Sequence, residues 1–300
     1  MSGNARSLPV ALVVSMRPRQ WMKNVLVFAA PLAAGELFAR GVLLPSLGAF
    51  VAFCLLSSAT YLVNDMRDIA LDREHPTKKF RPIPAGELPI PVAIAAAAIL
   101  TLGAFALAAA INLSLAGILV AYLVVTLSYS FGLKNEPVIE LGLLAMGFLL
   151  RAVAGGAASD LPISTWFLIV TGFGSLFMAA GKRSSELARA SIPDANGQLP
   201  ATRRSLQGYS TSYLRFVWAT SAAVTITAYC LWAFEVASHP STVPWAAWSV
   251  LPFVLAILRY GVDVDRGSAE APEDVVLKDR ALIALGIIWL VLFGLGALGV

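Results

Sequence analysis

The sequence predicts an all-α, polytopic membrane protein: a bundle of about nine transmembrane helices with its active site at the cytoplasmic face. Three observations carry that expectation. Of the 300 residues, 58% are hydrophobic and only 13% charged, and the mean hydropathy is +0.76, the composition of an integral membrane protein. Apolar stretches recur along the whole chain, and at about 20 residues per crossing of a ~30 Å hydrocarbon core a chain of this length holds about nine. The basic residues are also one-sided. Apart from Arg40 and Arg151, all Lys and Arg, 20 of 22, lie on one side, in or beside alternate interruptions of the apolar pattern, and the positive-inside rule makes that side cytoplasmic. An odd number of spans then places the amino terminus inside and the carboxyl terminus outside a plasma membrane. One transmembrane domain over residues 1–300 is expected.

Residues 1–23 read as a basic, weakly amphipathic cytoplasmic lead ending in Arg17-Pro-Arg19-Gln-Trp21-Met-Lys23. Trp21 suits the membrane interface and its cationic neighbours an anionic leaflet. No apolar core followed by a small-residue cleavage site is evident there. A first span is expected over 24–38, and a second from residue 42 into the aspartates described below. Residues 73–86 are too rich in proline for one helix. Spans three and four cover 91–111 and 113–131, hinged at Asn112. Residues 132–137 form a turn, span five covers 138–158, and 159–162 turn again. Span six, 164–181, meets a charged stretch, Lys182 to Glu186, and then a polar loop with Arg203 and Arg204 that runs to about residue 212. Span seven reaches 236. Spans eight and nine cover 243–260 and 281–300, on either side of the charged segment 263–280. Cys54 and Cys230 lie in apolar segments without metal or disulfide spacing and read as small buried hydrophobes. His75 and His239 have no ligand spacing. No phosphate-binding glycine loop, nucleophile elbow or zinc-protease motif is present.

The chemistry gathers in Tyr61-Leu-Val-Asn64-Asp65-Met-Arg67-Asp68-Ile-Ala-Leu-Asp72. On one continuous helix, Asp65, Asp68 and Asp72 stand at i, i+3 and i+7 and share a face. Three carboxylates in register repel one another unless a cation lies among them, and an all-oxygen set suits Mg²⁺ bridging carboxylates to a phosphorylated substrate. Asp65 and Asp68 are the expected metal ligands, Asp72 a third or outer group, and Asn64 a neutral donor. Tyr61, one turn earlier, is placed to meet a phosphate or sugar hydroxyl, or to sit in an aromatic belt. Lys23, Lys78, Lys79, Arg81, Lys134, Lys182 and Arg183 are expected on the same membrane side. Together they suggest a pocket for more anionic charge than one diphosphate carries, with Lys79 and Arg183 read instead as snorkelling residues. Lys182 and Glu186, four apart, can also simply pair along their helix. Arg151, deep in span five, is expected to face the interior, bound to a polar group or to a ligand phosphate.

Asn64-Asp65-x-x-Asp68-x-x-x-Asp72 resembles the first aspartate-rich motif of the intramembrane prenyltransferase (UbiA) superfamily. Lys78-Lys79-Phe-Arg81-Pro-Ile-Pro-Ala-Gly86 is similar to that family's basic loop, and Tyr129 to Lys134 to its turn after the fourth helix. The resemblance covers nearly the whole chain. It implies Mg²⁺-diphosphate held near the cytoplasmic face and an isoprenoid in a lipid-facing groove. The chain departs at the second motif, where the family's Asp-x-x-x-Asp is matched by Lys182-x-x-x-Glu186. Losing an acid and gaining a cation fits poorly with ionising a prenyl diphosphate.

Residues 17–24 and 271–280 are similar to a branch in which the isoprenoid is the acceptor. That resemblance implies transfer of 5-phosphoribose from 5-phosphoribose 1-diphosphate to a polyprenyl (decaprenyl) phosphate, with diphosphate released, in making a cell-wall arabinan precursor. Lys78, Arg81 and Lys134 are then expected on the diphosphate, Lys182 on the 5-phosphate and Lys23 on the lipid phosphate. A homo-oligomer is compatible with this reading, and nucleic acid is not an expected partner. The alternatives are a prenyltransferase that moves a prenyl group from its diphosphate to a small acceptor, and a transporter or flippase. The charges gather at one face rather than at the midplane, which argues against transport.

Overall fold

The computed structural model describes residues 6–191, 204–237 and 243–298. Every regular element among them is helical: α1 Leu8–Met16, α2 Ala29–Ala33, α3 Arg40–Arg67, α4 Ile69–Glu74, α5 Ile90–Ile111, α6 Leu113–Ser130, α7 Ile139–Ala158, α8 Thr165–Ala190, α9 Thr211–Ala237, α10 Trp245–Asp265, α11 Pro272–Lys278 and α12 Arg280–Ala297, with short 3₁₀ segments between them. Eight of these, α3, α5 to α10 and α12, are long and apolar enough to cross a membrane. His239 and Arg203 lie outside the described residues.

The stretch expected as a first span, 24–38, is not one helix. Its first part belongs to a 3₁₀ helix, Pro18–Phe28, which passes into the five-residue α2. Pro31 cannot return an N–H to the preceding turn, and Gly35 turns the chain at φ +71°. A Cβ on Gly35 would lie 2.3 Å from the carbonyl oxygen of Ala297, so only glycine passes there. Two other expectations shift in the opposite direction. α8 continues through Lys182 to Glu186 and on to Ala190, because no helix breaker follows Gly181 until Pro193. α10 likewise runs on to Asp265 before Gly267, at φ +72°, ends it.

The chain falls into two compact units. The first comprises residues 1–29, 38–131 and 150–161. Its core sets the buried Ala49, Ala52, Phe53 and Leu56 of α3 against Ala104 and Ala108 of α5 and Leu115, Leu119 and Tyr122 of α6. Small residues dominate where α3 meets α5, which lets membrane helices approach closely where no water is left to expel. The outer faces stay apolar, with Ile99 and Leu102 of α5 exposed, as for a lipid-facing surface. The second unit comprises residues 30–37, 132–149 and 162–300. It packs Phe177 of α8 on Tyr260 and Val264 of α10, and Tyr229 of α9 among Phe253, Trp289 and Phe293.

Candidate active site

In the first unit α3 ends at Arg67, Asp68 is the hinge (φ −94°, ψ 12°), and α4 resumes at once. The helical bonds nearly persist, Asp68 N–H to the Asn64 carbonyl at 3.0 Å and Asp72 N–H to the Asp68 carbonyl at 2.8 Å, so the three aspartates keep their register. Asp65 is 1% exposed and Asp72 is also buried. Burying carboxylates is costly unless cations meet them, and here arginines do. Arg81 Nη1 donates to Asp65 Oδ1 at 3.1 Å and to Asp72 Oδ2 at 2.6 Å, spanning both acids. Arg17 Nη2 donates to the same Asp65 oxygen, its guanidinium 4.9 Å from the Tyr61 ring centre. Lys78 Nζ lies 4.0 Å from Asp72 Oδ1.

Arg17 adopts φ 55°, ψ 61° between α1 and the 3₁₀ helix. That left-handed backbone costs a non-glycine residue roughly 1–2 kcal/mol, and such strain persists where surrounding contacts over-determine it. The basic loop is also built rigidly. Arg73 Nε donates to the Pro84 carbonyl at 3.1 Å, Glu87 N–H returns to Pro82 at 2.8 Å, and Pro82, Ile83 and Pro84 are buried. Arg81 therefore approaches the aspartates from a folded loop. Asn64 Nδ2 donates to Asp68 Oδ2 at 3.3 Å and its Oδ1 accepts from Ser130 Oγ at 3.3 Å.

Asp65, Asp68, Asp72 and Asn64 offer only oxygen donors, the chemistry a hard divalent cation takes. Among the described residues no three His, Cys, Asp or Glu side chains form a set able to hold a metal by themselves, and one oxygen of Asp65 is already shared by two guanidiniums. The residues fit a cation that completes its shell with phosphate oxygens and water, not a closed protein cage.

Deeper in the same unit, Arg151 is buried. Its Nε donates to Asn24 Oδ1 at 2.7 Å and its Nη2 to the Tyr122 hydroxyl at 2.6 Å. Asn24 in turn donates to Cys54 Sγ at 3.3 Å. Trp21, expected at the interface, donates Nε1–H to Ser58 Oγ at 3.0 Å and so ties the 3₁₀ helix to α3. Lys23, in that 3₁₀ helix, is half-buried.

The second unit holds Lys134 in the 3₁₀ turn Leu133–Asn135, and Lys182, Arg183 and Glu186 on α8. Arg183, read from the sequence as a snorkelling cation, is instead 1% exposed. Its Nε donates to Glu140 Oε1 at 2.8 Å and its Nη2 to Glu140 Oε2 at 2.6 Å, while Nη1 donates to Glu186 Oε2 at 2.5 Å. Glu140, in the first turn of α7, is 0% exposed. That turn begins at Val138, held at φ 67°, whose N–H donates to the Tyr209 hydroxyl at 2.6 Å. Burial pushes the Tyr209 phenol up to about 12, against the relief of that bond, so it stays neutral across the working pH range.

A model described as the UbiA prenyltransferase family matches residues 25–283. The chain belongs to the UbiA prenyltransferase family. It is 47% identical over 292 residues to a decaprenyl-phosphate phosphoribosyltransferase of Mycobacterium tuberculosis, covering 96% of this chain and 94% of that one. It is 44% identical over 300 residues to a protein of the same name from Mycolicibacterium smegmatis, covering 96% and 93%. Among solved structures, a UbiA homolog from Archaeoglobus fulgidus bound to GPP and Mg²⁺ superposes with a TM-score of 0.68 at 17% identity, covering 97% of this chain and all of that one. At that identity the likeness speaks for the UbiA fold alone.

Within this UbiA-family chain, the aspartates, Asn64, Tyr61, Lys78 and Arg81 expected from the sequence come together in the first unit. Lys79 is exposed and lies over Phe80, 5.2 Å from its ring centre, in keeping with a surface role. Glu186 has Arg183 as its bonded partner, three residues away. The residues missed as site members are Arg17, Glu140, Asn24 and Tyr122. Glu140 carried a usable signal, an acid inside an apolar span, which marks function or pairing by default.

Proposed function

We propose that this chain transfers 5-phosphoribose from 5-phosphoribose 1-diphosphate to a polyprenyl phosphate. The observation that carries the reading is the identity of 44–47% along nearly the whole chain to proteins named decaprenyl-phosphate phosphoribosyltransferase. The site chemistry supports it. In the reaction a phosphate oxygen of the lipid forms the bond to the anomeric carbon while the bond from that carbon to diphosphate breaks, and the electron pair leaves with the diphosphate. Mg²⁺ bound by Asp65 and Asp68 would neutralise charge on that leaving group.

The chain's own residues do the rest. Arg81 and Lys78 are assigned to the diphosphate because both are fixed cations beside Asp72, and Lys134 to the same anion. Cations held where charge develops lower the barrier by several kcal/mol in a water-poor site. Asp72 holds Arg81 in place, Asn64 orients Asp68, and Tyr61 flanks Arg17. Lys182 is assigned to the 5-phosphate and Lys23 to the lipid phosphate. Arg151 holds Asn24 and Tyr122 in the core of the first unit. The acceptor is anionic at neutral pH, so no strong general base is needed. Holding both reactants in near-attack geometry supplies the remaining acceleration.

The reading is tested with purified protein, Mg²⁺ and two labelled donors. Label passing from 5-phosphoribose 1-diphosphate into polyprenyl phosphate is the expected result. Label passing instead from a prenyl diphosphate into a small acceptor replaces the reading with an ordinary prenyl transfer.

A further inference from the structure

We infer that Arg17 competes with the divalent cation for the Asp65 carboxylate, so that the aspartate face takes the cation tightly only together with a phosphorylated ligand; the inference rests on the reading that Asp65 is a metal ligand. It starts from one oxygen. Asp65 Oδ1 accepts from Arg17 Nη2 and, at 3.1 Å, from Arg81 Nη1. A carboxylate oxygen that accepts two N–H groups has no lone pair left for a metal. On the other oxygen of the same carboxyl group the cation would stand beside a guanidinium and repel it, and buried charges are little screened. A guanidinium must therefore leave when the cation binds.

The two arginines are not equivalent. Arg81 also donates to Asp72 Oδ2 at 2.6 Å and comes from a loop fixed by its own bonds, so it can give up Asp65 and keep a carboxylate. Arg17 has Asp65 as its one acidic partner among the described residues. Displacing it costs a charged hydrogen bond, and that cost lowers the affinity of a cation arriving alone. An anion arriving with the cation offsets the loss, because it gives the displaced guanidinium a new charged partner. Arg17 is not what anchors its own segment. Trp21 Nε1 donates to Ser58 Oγ at 3.0 Å, the same hydroxyl lies 3.1 Å from the Met16 carbonyl oxygen, and Ala11 of α1 shares a buried cluster with Ala59 and Leu62 of α3. Replacing the guanidinium thus leaves the α1 docking in place.

Two readouts that need no turnover test this on the full chain in detergent, after a check for a single symmetric peak. In the first, Mn²⁺ is the metal probe, with no phosphorylated ligand present, and its binding is followed by the electron paramagnetic resonance signal of the free ion. Loss of a hydrogen bond between charged groups predicts that Arg17→Gln binds Mn²⁺ about 10- to 100-fold more tightly than wild type. General loosening of the site would weaken binding instead. The gain is lost again when Asp65→Asn is added. Should Arg17→Gln fail the folding check, Arg17→Gly gives the same comparison, since φ 55° at this position suits glycine. In the second readout, phenylglyoxal modification is located by mass spectrometry. Mg²⁺ is expected to speed modification of Arg17 several-fold in wild type and to leave Arg215, paired with Asp265, unchanged. Mn²⁺ binding that is unchanged or weaker in Arg17→Gln overturns the inference, as does an Arg17 whose modification Mg²⁺ leaves unchanged or slows. A gain that survives the addition of Asp65→Asn is a different signal, and it removes Asp65 as a metal ligand.

Discussion

At the scale of single residues, stability turns on where buried charges find their partners. Arg183 and Glu140 are both sequestered, and removing one partner of such a pair leaves the other stranded, typically at a cost of 3–5 kcal/mol. Arg183→Ala is therefore expected to destabilise by about that much in chemical unfolding in detergent. The pair Arg215 to Asp265, 63% and 59% exposed, is expected to change stability by no more than about 1 kcal/mol when Asp265→Ala breaks it. The opposite ranking would contradict the burial described here. Tyr209 gives a pH test. Its folded value, about 12, lies above the ordinary value of about 10. The stability it contributes is thus complete below pH ~10 and is lost as pH rises towards 12. Tyr209→Phe should remove that alkaline loss. The aspartate face was legible because its signal is local, three acids at helical spacing. The Glu140 to Arg183 pair was not, because its members stand 43 residues apart and neither position points to the other. Arg17 was visible as part of a basic motif, but nothing in its neighbours pointed to Asp65.

At the scale of elements, apolar length and Pro and Gly placement located nearly every long helix. They failed where helix type rather than helix existence was at issue, as in the 3₁₀ helix over Pro18–Phe28. The end of α8 was set too early for a related reason: charges in sequence look like a loop, yet Lys182, Arg183 and Glu186 are good helix formers with a buried partner waiting. The close approach of α8 and α10 is testable. A Cβ on Gly181 would come within 2.8 Å of a Val264 methyl, so Gly181→Leu is expected to cost about 1–3 kcal/mol through overpacking and to displace Lys182 beside it. The measured signature is a lowered unfolding midpoint together with a raised donor KM. An unchanged midpoint would show that the two helices have room to spare.

At the scale of the whole molecule, composition alone made the membrane class legible, and the charge asymmetry adds an orientation to be tested. In a cysteine-free background, Thr77→Cys is expected to react with a membrane-impermeant maleimide only from the cytoplasmic side, and Asp160→Cys only from outside. The reverse pattern would invert the topology. The function was legible only through motifs shared with the UbiA family, because composition and periodicity describe a bundle and say nothing of what it transfers. The most direct test follows label from 5-phosphoribose 1-diphosphate into polyprenyl phosphate by wild type and by Asp65→Asn, with Mg²⁺, with EDTA, and with Mg²⁺ restored. A labelled lipid is expected in wild type that vanishes with EDTA and returns with Mg²⁺. In Asp65→Asn a loss of at least about 100-fold is expected, as when electrostatic stabilisation of a leaving group is removed. A labelled lipid formed at the wild-type rate by Asp65→Asn would contradict the assignment of the aspartate face, and no labelled lipid from wild type would contradict the reaction.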